Sequence, residues 1–101
     1  MFKITSEKGF HLTFENRVTI SVQWGFGNYC ENRWKENVDT KKEFLTSKNA
    51  EVAIWDEDDM WLTKECFLDL YGEQLDNDVK GYVTADEVAD IIQWCKNKEV
   101  S

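Results

Sequence analysis

The chain has no proline, so nothing along it marks a rigid joint between two domains. It has a single histidine, His11. A catalytic histidine needs a nucleophile or a second acid–base group held beside it. Thr13 and Ser21 are expected to share its face, and such a trio is ordinary on a polar sheet surface. Its three cysteines, Cys30, Cys66 and Cys95, are odd in number, widely spaced and without a C-x-x-C pair. That excludes a zinc knuckle or a dithiol redox motif and points to free, partly buried thiols in a reducing compartment. No apolar run is long enough to span a bilayer, and the opening MFKITSEKGF lacks the apolar stretch of a signal peptide. A soluble protein of the cytoplasm is expected. The second half is short of positive charge. Residues 51–101 carry four Lys against fourteen Asp/Glu, a net of -10. Residues 1–50 carry eight Lys/Arg against six Asp/Glu, a net of +2, giving -8 for the whole.

Against these absences stand six Phe, five Trp and three Tyr in 101 residues. Disordered acidic tails are poor in aromatics, so this is a globular composition, and the length fits one domain. There is no repeat and no low-complexity tract.

Strict alternation marks two strands near the N-terminus. Phe10, Leu12 and Phe14 alternate with His11 and Thr13; Val18, Ile20, Val22 and Trp24 alternate with Thr19, Ser21 and Gln23. Glu15-Asn16-Arg17 is a tight turn in which Asn16 tolerates positive φ. Phe2 and Ile4 are read as a continuation of the first strand. Gly25-Phe26-Gly27-Asn28 makes a sharp turn, and residues 29–49 read as a long polar loop with a short helical piece near Thr40–Leu45. Ala50–Trp55 is a third strand, Asp56–Asp59 a solvated turn and Met60–Lys64 a fourth strand. Glu65–Leu75 is open between helix and irregular structure. Thr84 and Glu87 form a T-x-x-E capping box. Val88, Ile91, Ile92 and Cys95 then repeat on one helical face. The expected fold is α+β: a single domain, 1–101, with a small antiparallel sheet of about four strands and the C-terminal helix packed on one face.

Residues 76–87, DNDVKGYVTADE, resemble an EF-hand calcium loop, with acids at positions one and three, glycine at six and glutamate at twelve. Lys80 stands at position five, where a ligand oxygen belongs, and no second loop exists to pair with it. The simpler reading is a turn followed by a helix cap. Gly25–Asn28 lacks the third glycine, the following helix and the lysine of a phosphate-cradling loop. Trp24, Phe26, Tyr29 and Trp34 cluster beside Arg33 and Lys35. Aromatics interleaved with basic residues can stack on single-stranded nucleic acid, but a net charge of -8 opposes it. A protein–protein anchor fits them better, and core packing accounts for most of them. No catalytic constellation, cofactor site or metal site is expected.

The segments Gly9-Phe10-His11-Leu12-Thr13-Phe14-Glu15-Asn16, Thr19-Ile20-Ser21-Val22-Gln23-Trp24-Gly25 and Gly27-Asn28-Tyr29-Cys30 resemble the N-terminus of small uncharacterised bacteriophage and prophage proteins. Ala50–Trp55 and Gly81–Val88 are similar to the same group; residues 31–49 are not. The resemblance covers about half the chain and implies a phage origin and an early accessory role, with no catalytic residue to carry over. Together with the charge, it leads to the expectation of a non-enzymatic inhibitor of a host protein, such as a nucleic-acid-handling or defence protein. That partner would present a basic surface, with no direct contact to nucleic acid or membrane. The residues expected to bind it are Asp56, Glu57, Asp58, Asp59, Asp69, Glu73, Asp76 and Asp78, with Trp34 and Phe26 as apolar anchors. The alternatives are a calcium module on residues 76–87 and a virion or scaffold component self-associating through its sheet edge.

Overall fold

A computed structural model describes residues 1–6, 8–36 and 46–99. The alternating segments pair as a five-stranded antiparallel meander in the order β1 (Phe2–Thr5), β2 (Gly9–Thr13), β3 (Thr19–Gln23), β4 (Asn49–Trp55), β5 (Val79–Thr84). Helix α1 (Thr63–Tyr71) connects β4 to β5, and α2 (Ala85–Asn97) follows β5. The fold is α+β, with five strands rather than four.

The extra strands replace other expectations. Phe2 and Ile4 do not lengthen β2; they form their own strand, folded back so that Phe2 faces Leu12 and Ile4 faces Phe10. Met60–Lys64 is not a strand. Only Trp61 bridges back to Trp55, and α1 begins at Thr63. Val79–Thr84 is β5, not a turn. The 29–49 loop is described as turns over 29–36 and as coil over 46–48 before β4 begins. The helical piece expected at 40–45 lies outside the described residues.

Register sorts the side chains onto two faces. On one face Ile4, Phe10, Val22, Val52 and Lys80 stand in a row. Beside it runs the row Phe2, Leu12, Ile20, Ile54. Both helices cover this face over β3, β4 and β5, and the core forms where Val18, Ile20, Val22, Val52 and Ile54 meet Cys66, Phe67, Ile91 and Cys95. β1 projects beyond the helices, leaving Phe2 and Ile4 exposed. The opposite face carries the row Lys3, His11, Ser21, Ala53, Val79. Thr13 and Thr19 share a hydrogen bond there, and Gln23 bonds Thr5 and Ser21. No helix among the described residues is long and apolar enough to cross a membrane.

Candidate partner-binding surface

The charge asymmetry of the sequence falls on the second half of the fold. Residues 56–99 form the helices, their connections and β5, and they hold thirteen Asp/Glu against four Lys. The fold decides how many of those carboxylates have partners among the described residues.

Five do. Asp56 Oδ1 accepts from the Asp58 and Met60 backbone N–H groups at 2.9 and 3.0 Å, closing the turn. Glu65 pairs with Lys98. Asp69 accepts from the Trp94 indole at 3.1 Å. Glu73 and Lys80 meet at 2.8 Å. Glu87 completes the capping box with Thr84. Each of these draws one carboxylate into the fold.

The other eight, Glu57, Asp58, Asp59, Asp76, Asp78, Asp86, Asp90 and Glu99, have no side-chain hydrogen bond or ion pair among the described residues. Glu57 and Asp58 line a depression of about 400 Å³ with Glu65, Glu99 and Lys98 at the C-terminal end of α2. Asp90 and Glu87 face Tyr71 at the end of α1. Burial, and then those two carboxylates, raise its phenol pKa. Leu68, Leu70 and Tyr71 are exposed on α1.

The expected anchors lie elsewhere. β3 and β4 run antiparallel with Gln23 opposite Glu51 and Thr19 opposite Trp55. The loop bearing Phe26 and Trp34 therefore leaves one end of the sheet and the Asp56–Asp59 tip the other. The acidic tip and the two anchors are not brought together. Trp34 is 78% exposed, with the Arg33 guanidinium 4.8 Å from its ring centroid and 4.2 Å from that of Tyr29. Asp78 joins a different group of aromatics, with Tyr29, Trp61 and Tyr82 around one cleft. Trp61 and Tyr82 were missed. Trp61 is placed by its bridge to Trp55, and Tyr82 by a β-bulge, and neither leaves a signal in local sequence spacing.

The segment that resembles a calcium loop is built differently. Positions four to nine are strand β5, Lys80 turns to Glu73, and Glu87 is held by Thr84. Among the described residues no three His, Cys, Asp or Glu side chains converge as a metal site would require. His11 meets the edge of Trp55, with ring centroids 5.1 Å apart, while Thr13 and Ser21 are engaged with Thr19 and Gln23. Cys30, Cys66 and Cys95 are free and buried.

No known protein family, curated protein or solved structure matches the chain.

Proposed function

We propose that this chain is a non-enzymatic binding protein of bacteriophage type, acting in the cytoplasm of the host. It docks its acidic helix layer on a basic surface of a host protein and blocks it. The observation that carries this reading is the set of eight carboxylates between residues 57 and 99 without partners among the described residues, while Lys80 and Lys98 are tied to Glu73 and Glu65. Unneutralised charge of one sign steers a partner of the other sign and repels nucleic acid. Exposed Leu68, Leu70 and Tyr71 supply apolar contact, in place of the distant Phe26 and Trp34.

A host protein with a strongly basic surface, such as a nucleic-acid-binding or defence protein, is the partner class. Its affinity for the chain is measured by calorimetry from about 0.05 to about 0.5 M salt, over which the Debye length falls severalfold. Affinity should drop steeply across that range, and Asp86→Lys with Asp90→Lys should weaken it further at low salt. Binding that ignores both salt and these substitutions sinks the proposal.

A further inference from the structure

Strand β5 carries a bulge. Val52 faces Lys80 and Ala50 faces Val83, so the single residue Glu51 spans both Gly81 and Tyr82. Tyr82 takes φ 59°, a conformation that is an outlier for a bulky side chain. Bulges of this kind re-aim a side chain, and strained residues persist where the surrounding structure holds them.

Here the surroundings do so. The Tyr82 N–H donates to the Tyr29 carbonyl at 2.9 Å, and the Tyr29 N–H donates to Glu51 Oε2 at 2.8 Å. A Cβ on Gly81 would lie 2.5 Å from Tyr29 Cβ, so only glycine lets the two segments approach this closely. Tyr82 is thereby left 56% exposed beside Tyr29 and Trp61, themselves 47% and 51% exposed. These three rings bound a cleft of about 700 Å³ with Val79 and Gly81, and Asn77 and Asp78 also line it. That volume lies within the usual range for a ligand site. None of the three rings stacks on another among the described residues; Arg33 covers one face of Tyr29 and Trp55 packs perpendicular to Trp61, which leaves their exposed parts and the Tyr82 ring to meet an occupant. Lys80 also lines the cleft, with its ammonium paired to Glu73 at 2.8 Å.

We propose that this cleft captures an arginine side chain of the basic partner, the guanidinium lying on the aromatic faces with Asp78 as its counter-charge. The proposal rests on the acidic-surface reading and deepens it. Aromatic groups with a nearby carboxylate attract cations, and a planar guanidinium also stacks where an ammonium cannot. The chain already uses the same contact internally, with Arg33 over Tyr29. Asp78 has no partner of its own among the described residues.

Two peptides of equal length and charge, one built on arginine and one on lysine, are titrated into the labelled protein while the Trp61 indole resonance is followed. The arginine peptide should shift that resonance and bind more tightly than the lysine peptide. With binding read by calorimetry for the variants, Trp61→Ala and Tyr82→Gly should each weaken the arginine peptide by about tenfold and abolish its advantage. Tyr82→Gly relieves the strained φ as it removes the ring, so folding is not at risk there. Asp78→Asn should weaken both peptides. If the arginine peptide binds these variants as it binds the parent but loses affinity with Asp86→Lys and Asp90→Lys, the cleft proposal is overturned and the acidic surface stands. If the cleft variants matter and the helix-layer variants do not, the cleft stands and the proposed docking face falls. If a neutral oligosaccharide or a single-stranded oligonucleotide shifts Trp61 and the arginine peptide does not, the occupant is wrong.

Discussion

Asn16 shows how much one polar side chain can join. Its Oδ1 accepts from the Val18 N–H at 3.0 Å, closing the β2–β3 turn. Its Nδ2 donates to the Cys95 and Lys98 carbonyls at 2.8 and 2.9 Å. The last carbonyls of a helix need partners from outside, and α2 ends on an extended Lys98 rather than a glycine. Asn16 therefore caps a helix about eighty residues away in sequence. Asn16→Ala should cost about 1–3 kcal/mol in urea unfolding, since it strips bonds from partly buried carbonyls. The spacing of residues 15–17 does mark a turn, but Arg17 rather than Asn16 takes positive φ, at 68°. No local pattern could reveal the distant carbonyls that occupy the amide. His11 is the other informative residue. Burial, and then Lys3, lower its pKa from the ordinary 6.5. Once the pH falls below that value, the unfolded chain binds more protons at this site than the folded one. The stability His11 contributes is therefore complete above pH 6.5 and is lost as the pH falls through that value towards the folded pKa. Denaturation midpoints measured downward from pH 7 should decline more steeply in the parent than in His11→Gln.

At the scale of elements, α2 and the β2–β3 hairpin were legible because their signals are local. The Thr84–Glu87 box is formed as its spacing predicts, and Ile91 and Cys95 are fully buried on the expected face. Thr84→Ala should cost about 1 kcal/mol, read as a shift in the urea midpoint. Helix α1 was not legible. It buries Thr63, Cys66 and Phe67 while Leu68, Leu70 and Tyr71 remain exposed, so its apolar residues do not trace a stripe. Its N-cap, Leu62, offers no side-chain bond. Strand β5 was hidden by its own bulge, which breaks the alternation between Val79 and Val83. The two helices bring Cys66 and Cys95 into the core, where burial pushes the Cys66 thiol up to about 12 and the Cys95 thiol higher still. A thiol reacts as its thiolate. At pH 8 a thiol reagent should therefore modify neither Cys66 nor Cys95 in the native protein, and all three cysteines after denaturation. Rapid native labelling of Cys66 would show that α1 does not stay docked.

For the whole molecule, the composition disclosed the sign of the charge and which half carries it, but not which carboxylates the fold occupies. The partners that decide this are remote: Lys98 reaches Glu65 across 33 residues and Trp94 reaches Asp69 across 25. The cleft was equally hidden, because Tyr29, Trp61 and Tyr82 come from three separate segments. What remains is a chain with a net charge of -8, eight of whose carboxylates have no partner among the described residues. Self-repulsion of such a net charge destabilises the compact state, and salt relieves it. Salt should therefore act in opposite directions on folding and on binding: the thermal midpoint rises with added sodium chloride while affinity for a basic partner falls. Asp86→Lys and Asp90→Lys should reproduce both effects at low salt, giving a more stable protein that binds less well. If the acids served solubility alone, the substitutions would stabilise the fold and leave partner affinity unchanged. Melting curves and binding isotherms measured on the same variants separate these cases, because only the binding reading couples the gain in stability to a loss of affinity.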